Sequence, residues 1–173
     1  CPFNETWGTE HNQKAIASVS AVYKMTKDLD PSRPVIDTSG LIHTSESDIF
    51  DIHDYEQNVE KFASHYEKLS EGIVKDVNYA DGYKGGPMFV SEYGGIGLKS
   101  DSGWSYGEAP ALIRRYDGLT TYLLDNPDIF AFCYTQLYDI EQEINGLYTY
   151  DRVPKMDISK IRAINEKTAA IEK

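Results

Sequence analysis

Two glutamates carry the most promising chemistry in this sequence. Glu5 closes the apolar stretch Cys1-Pro2-Phe3, and Glu92 closes Pro87-Met88-Phe89-Val90. Each is followed within three residues by Gly or Trp. If the two strands run parallel, both carboxyls face one crevice. Two carboxyl groups across a cleft can divide the work of cleaving a glycosidic bond. One is held protonated to release the leaving group, and the other is ionised to attack. Spacing alone leaves a second reading open, in which both are structural carboxylates and Glu92 caps a strand end.

Other motifs fare less well. Asn4-Glu5-Thr6 matches a glycosylation sequon, a pattern common by chance, and its Glu has a better use. Gly94-Gly95-Ile96-Gly97-Leu98-Lys99-Ser100 resembles a phosphate loop, but Lys99 follows Leu98 where a Walker A motif needs Gly. The four histidines lack a His-Glu-x-x-His pattern, and Cys1 and Cys133 have no ligand spacing with a second Cys or His. The acidic run Glu141-Gln142-Glu143 reads as a solvated loop or a rim touching substrate.

The elements that would position the glutamates can be read from apolar periodicity. Strands are expected at Pro34–Asp37, Ile49–His53, Pro87–Glu92 and Ile129–Tyr134, with a short one at Cys1–Phe3. Such near-continuous apolar runs suit a parallel sheet buried on both faces. Helical spacing joins Ile16, Val19, Tyr23 and Thr26, then Val59, Phe62 and Tyr66, then Leu112, Ile113, Tyr116, Leu119 and Leu123. A last helix, capped by Asp157, is expected to run through Ile158, Ile161 and Ile164 to Ile171. The alternation predicts an α/β fold. Each strand ends in polar groups: Asn4-Glu5, Asp37, His53-Asp54-Tyr55, Glu92-Tyr93 and Tyr134-Thr135-Gln136. Functional groups at the carboxyl ends of parallel strands suit a (β/α) barrel or an open α/β sheet.

Composition bounds the partners. The 173 residues suffice for one domain with a real core. The net charge of −11 argues against nucleic acid or an anionic membrane, since phosphates reward clustered Lys and Arg. Apolar runs are too short for a transmembrane helix. Neutral sugars are compatible with such a surface, and the 13 tyrosines offer flat faces with polar tips that suit a sugar cleft.

Longer strings carry a family resemblance. Pro2-Phe3-Asn4-Glu5-Thr6-Trp7-Gly8 resembles the acid/base segment at the end of barrel strand four in glycoside hydrolase family 2, and Phe89-Val90-Ser91-Glu92-Tyr93-Gly94-Gly95 resembles its nucleophile segment at the end of strand seven. Phe132 to Leu137 resembles strand eight, and Asn145-Gly146-Leu147 through Asp151 to Lys155 resembles the segment after it. All four occur in family order. The resemblance implies a (β/α)8 TIM-barrel fold, of which residues 1–173 would be the C-terminal part, about strands four to eight.

The implied roles follow residue by residue. Glu5 would be the acid/base, its pKa raised while it waits as an acid, and Glu92 the nucleophile, with the carboxyls about 5–5.5 Å apart. Asn4 would bond the sugar 2-hydroxyl, Tyr55 would bond Glu92 and help keep it ionised, and Tyr134 would form a wall beneath the sugar where relatives often carry Trp. Asn145, His53 and Asp54 are further candidates. No nucleotide or redox cofactor is implied, although a sodium or magnesium ion lies near the site in relatives.

The implied substrate is an oligosaccharide or β-glycoside. Family glucuronidases carry an Asn-x-Lys pair where this chain has Glu143-Ile144-Asn145, which disfavours a uronide. Asn145-Gly146-Leu147 resembles the galactosidase version, so a β-galactoside leads, even though Gly95 stands where bacterial galactosidases place a His. The competing class is a noncatalytic carbohydrate-binding or structural module, against which retention of both glutamates argues. A half-barrel would expose two unpaired sheet edges, so self-association and low activity of the isolated piece are expected.

Overall fold

The computed structural model describes residues 1–6, 12–77, 82–97 and 109–173. Trp7, Gly8, Leu98, Lys99 and Ser100 of the motifs above lie outside the described residues. The chain is a mixed α/β structure with parallel sheets. In order it forms β1 (Phe3–Asn4), α1 (Gln13–Leu29), β2 (Thr38–Ser39), β3 (Phe50–Asp54), α2 (Val59–His65), β4 (Met88–Gly94), α3 (Ala109–Asp125), β5 (Ile129–Thr135) and α4 (Ile158–Asn165). β1 pairs with β2 in parallel, and β3, β4 and β5 form a second parallel sheet in that order. Among the described residues, no helix is long and apolar enough to cross a membrane.

Helix starts obey local chemistry. Asn12 caps α1 by accepting from the Lys14 and Ala15 N–H groups, Asn58 caps α2 through the Lys61 N–H, and Asp157 caps α4 through the Ser159 N–H. Along α3, Leu112, Tyr116, Leu119 and Leu123 recur at helical spacing and are all buried. They join one core with Phe62 of α2, Met88 and Val90 of β4, Ile129 of β5, and Ile161 and Ile164 of α4. Near-complete burial of such side chains stabilises the fold by about 1.5–3 kcal/mol each.

Two expected elements differ. The stretch Pro34–Asp37 forms no strand; the pairing begins at Thr38 instead. Pro34 offers no backbone N–H, and the Val35 N–H goes to the Asp48 side chain at 2.8 Å. The Asp37 carboxylate accepts from the N–H groups of Thr38 and Thr44, so side chains replace a ladder there. The last helix stops at Asn165 rather than reaching Ile171, which sits half-exposed in a terminal 3-10 turn. Lys167 and Thr168 follow Ile164 by three and four residues, so no large apolar side chain on that face bridges the gap to Ile171.

Which face each strand residue takes is fixed by the helices. Tyr93 packs edge-on against Tyr134, whose ring also meets Tyr116 of α3, and Asp54 bonds Tyr66 and His65 beside α2. Successive strand residues point to opposite faces, so His53 and Glu92 turn away from the helices. A β-bulge sharpens that placement. Ile52 pairs with Val90 and His53 with Glu92, so Ser91 is the extra residue of β4. Bulges re-aim side chains in this way beside functional sites.

Candidate active site

The bulge sets Glu92 level with His53, and β1 delivers Glu5 from the neighbouring sheet. The Glu5 N–H donates to Ser39 O at 2.9 Å, extending the β1–β2 pairing by one bond. Its φ of 39° is in the left-handed region, an uncommon conformation for a residue with a side chain. His53 Nδ1 lies 2.8 Å from Glu5 Oε1 and 3.4 Å from Glu92 Oε2. One oxygen of each carboxyl and one nitrogen of His53 fall within 4.8 Å of one another. The carboxyl side chains are 29% and 23% exposed, whereas that of His53 is 6% exposed. Two reachable carboxyls thus flank a held imidazole.

The Tyr55 hydroxyl donates to Glu92 Oε2. Burial pushes the Glu92 carboxyl above the ordinary carboxylate range, and Glu5 and Asp51 add to this; the Tyr55 hydrogen bond and His53 pull it back without overcoming burial. Burial, reinforced by Glu92, also raises the Tyr55 phenol, which keeps that hydroxyl a donor.

The two sheets meet here through side chains rather than a backbone ladder. Asp51 of β3 is fully buried and accepts from Ser39 Oγ at 3.1 Å, from the Gly40 N–H at 3.1 Å and from Ser91 Oγ. Ser39 Oγ also lies 3.0 Å from His53 Nε2. Behind this cluster, His43 Nδ1 faces Asp37 Oδ1 at 2.7 Å, and His43 Nε2 faces Asp51 O at 2.7 Å. Both ring nitrogens therefore meet acceptors, an arrangement that only an imidazolium satisfies. Burial favours the neutral ring, but Asp37 and Asp51 outweigh it and push the His43 pKa up to about 10.

The residues singled out from sequence separate into two groups. Glu5, His53, Tyr55 and Glu92 converge, with exposed Asn4 adjoining them at the end of β1. Tyr134 and Asn145 form the second group, with the Tyr134 ring turned toward α3. The Tyr134 hydroxyl reaches Asn145 O at 3.4 Å, and Asn145 Oδ1 accepts from Gln136 Nε2 at 2.9 Å. Gly95 links the groups: a Cβ there would lie 3.0 Å from the Tyr55 ring and 3.8 Å from Asn145 Nδ2. Asp54 stays on the helix side with His65 and Tyr66. Sequence reasoning missed Ser39, His43, Asp51 and Ser91. Asp51 and Ser91 left one signal, a polar residue inside β3 and inside β4, whereas Ser39 and His43 left none.

No protein-family model and no curated protein matches the chain. Solved structures do. A β-glucuronidase from Faecalibacterium prausnitzii superposes with a TM-score of 0.63 at 19% identity, covering 94% of this chain and 31% of its own. A GH2 β-galacturonidase from Eisenbergiella tayi, bound to galacturonate, gives 0.68 at 14% identity, covering 91% and 32%. A β-D-glucuronidase from Dictyoglomus thermophilum gives 0.64 at 17% identity, covering 93% and 31%. This chain spans about a third of the length of these structures. At these identities the likeness is one of fold, and it extends over nearly the whole chain.

Proposed function

We propose that this chain is the C-terminal part of a glycoside hydrolase family 2 catalytic barrel, about strands four to eight, and carries the acid/base and nucleophile of a retaining β-glycosidase. The observation that carries the reading is the approach of one Glu5 oxygen and one Glu92 oxygen to within 4.8 Å, which sets the two carboxyls across a narrow gap. Retaining enzymes hold their carboxyls about 5–5.5 Å apart, whereas inverting ones leave about 6.5–9.5 Å for a water. Supporting it, the structures that share this fold are named as glycosidases.

In the first step the Glu92 carboxylate attacks the anomeric carbon. The bond to the leaving oxygen breaks as Glu5 gives that oxygen its proton. In the second step the Glu5 carboxylate takes a proton from water. The water oxygen attacks the same carbon, and the bond to Glu92 breaks, which restores both groups. Tyr55 holds the attacking carboxylate by its hydroxyl, and Asn4 is assigned to the sugar 2-hydroxyl.

For the sugar, we assign a neutral β-glycoside, with β-galactoside first. Glu143 and Asn145 share the Gln136 amide, at 3.2 and 2.9 Å, so an acid stands beside the candidate Asn145. Lys155, the nearby cation, is engaged by Asp139 at 2.5 Å and by Ile144 O at 2.7 Å. The named neighbours act on uronides, which makes uronides the arm that would overturn this assignment. The test is turnover of aryl β-galactoside, β-glucoside, β-glucuronide and β-galacturonide by the natural polypeptide that carries this chain. Glu5→Gln and Glu92→Gln should each lower turnover at least about 10²-fold. If neither does, the glycosidase reading is wrong.

A further inference from the structure

We propose that Glu5, His53 and Glu92 form a binding site for a divalent transition-metal ion of borderline softness, for which Zn2+ is the fitting probe. An ion there ties up both carboxyls. Binding stands on geometry alone; that it inhibits rests on the function proposed above.

The donor set suits zinc in kind and spacing. It offers one imidazole nitrogen and two carboxylate oxygens from three separate segments, all within 4.8 Å of one another. Donors about 2.0–2.2 Å from a tetrahedral zinc stand roughly 3.3–3.5 Å from each other. His53 Nδ1 already lies 2.8 and 3.4 Å from the two carboxyls, so small side-chain rotations complete the site. Two carboxylates also balance the charge of a dication.

The orientation of His53 is the second, independent observation. Ser39 Oγ donates to Asp51 Oδ2 at 3.1 Å, which leaves its lone pair for a proton on His53 Nε2, 3.0 Å away. Nδ1 points at Glu5 Oε1, 2.8 Å away, and toward Glu92 Oε2. The proton shared between Nδ1 and Glu5 is the one that an incoming metal ion displaces. A metal-binding histidine is held in this way, its far nitrogen donating to a fixed acceptor. The ring has little room to turn, because a Cβ on Gly40 would come within 2.7 Å of three of its atoms. Partial exposure of both carboxyls gives an ion a way in and leaves a coordination position for water.

Selectivity follows from the same set. Magnesium prefers an octahedron of oxygens and keeps its water, so an imidazole in a tight three-donor site serves it poorly. An ion bound here occupies the lone pairs that Glu92 needs for attack and Glu5 needs for proton transfer, and it competes with sugar.

Calorimetric titration with ZnCl2 and with MgCl2 tests the site without any substrate. Cys1→Ser and Cys133→Ser form the background, because both thiols are exposed and would compete. One zinc per chain should bind, and magnesium should not bind in the same range. His53→Gln and, separately, Glu5→Gln should each weaken zinc at least about tenfold, with circular dichroism confirming that each variant is folded. Absence of zinc binding, or zinc binding unchanged in both variants, overturns the site. Zinc binding by a protein that hydrolyses no glycoside would leave the site standing and remove only the inhibition. Turnover unaffected by saturating zinc would likewise refute the inhibition.

Discussion

His43→Gln should cost the fold several kcal/mol and abolish a pH dependence that the native protein shows. The His43 side chain is 4% exposed, and its two carboxylate neighbours, Asp37 and Asp51, are fully buried. Removing the imidazolium leaves Asp37 with the Thr38 and Thr44 N–H groups, and Asp51 with Ser39, Gly40 and Ser91, but neither with a cation. Breaking a buried ion pair from one side costs about 3–5 kcal/mol. The sign with pH follows from the raised value. The folded His43 keeps its proton up to about 10, while the unfolded one releases it near its ordinary 6.5. The stabilisation is therefore complete below about pH 6.5 and is lost as pH rises through about 10, with a slope approaching one proton, roughly 1.4 kcal/mol per pH unit. Urea unfolding from pH 6 to 10.5, with and without His43→Gln, measures both effects. Native stability that stays flat between pH 6.5 and 10, or a loss below about 1 kcal/mol in the variant, would refute the charged-His43 account.

Tyr55→Phe removes a hydrogen bond that pulls the Glu92 carboxyl down, so the acidic limb of kcat/KM should move to higher pH. With a charge-assisted bond worth about 1.5–3 kcal/mol, kcat/KM should fall about ten- to a hundredfold; an unmoved limb would show that Tyr55 does not act on Glu92. Gly94→Ala places a Cβ 2.2 Å from Tyr134 Cε2, on a backbone with φ of 94°. The ring is wedged between Tyr93 and Tyr116, so overpacking and left-handed strain should together cost about 2–5 kcal/mol in thermal or urea unfolding. Tyr134→Ala should restore part of that loss, and a Gly94→Ala variant of native stability would show that the ring can move aside.

The parts of the fold legible in the sequence are those whose signal is local. β4 and β5 open on near-continuous apolar runs entered through breakers, β3 alternates apolar Phe50 and Ile52 with polar residues, and α3 repeats Leu112, Tyr116, Leu119 and Leu123 on one face. Both glutamates stood out because each follows such a run. The join between the sheets was not legible, because it is made by Ser39, Asp51, Ser91 and His43 across 12 to 52 positions of chain, apart from one closer contact. Periodicity carries no record of such pairing. The bulge at Ser91 was hidden for the same reason: an extra residue in one strand is defined only against its partner. Tyr134 reads from its string as a wall near Glu92, but its face is decided by Tyr93 and Tyr116, which turn its ring toward α3.

The division of labour between Glu5 and Glu92 is tested most directly by azide rescue of Glu92→Ala and Glu5→Ala in the natural polypeptide, with an activated aryl β-glycoside as substrate. Each displacement at the anomeric carbon inverts it. Without Glu92, azide enters the cavity left by the carboxylate and displaces the aryl group once, so the product should be the α-glycosyl azide. Without Glu5, the glycosyl-enzyme still forms because the aryl group leaves unaided, and azide then attacks it, so the product should be the β-glycosyl azide. NMR of the two products decides the matter: α from Glu92→Ala and β from Glu5→Ala support the assignment. The reverse pattern would exchange the two roles, and one configuration from both variants, or no adduct from either, would contradict the central claim.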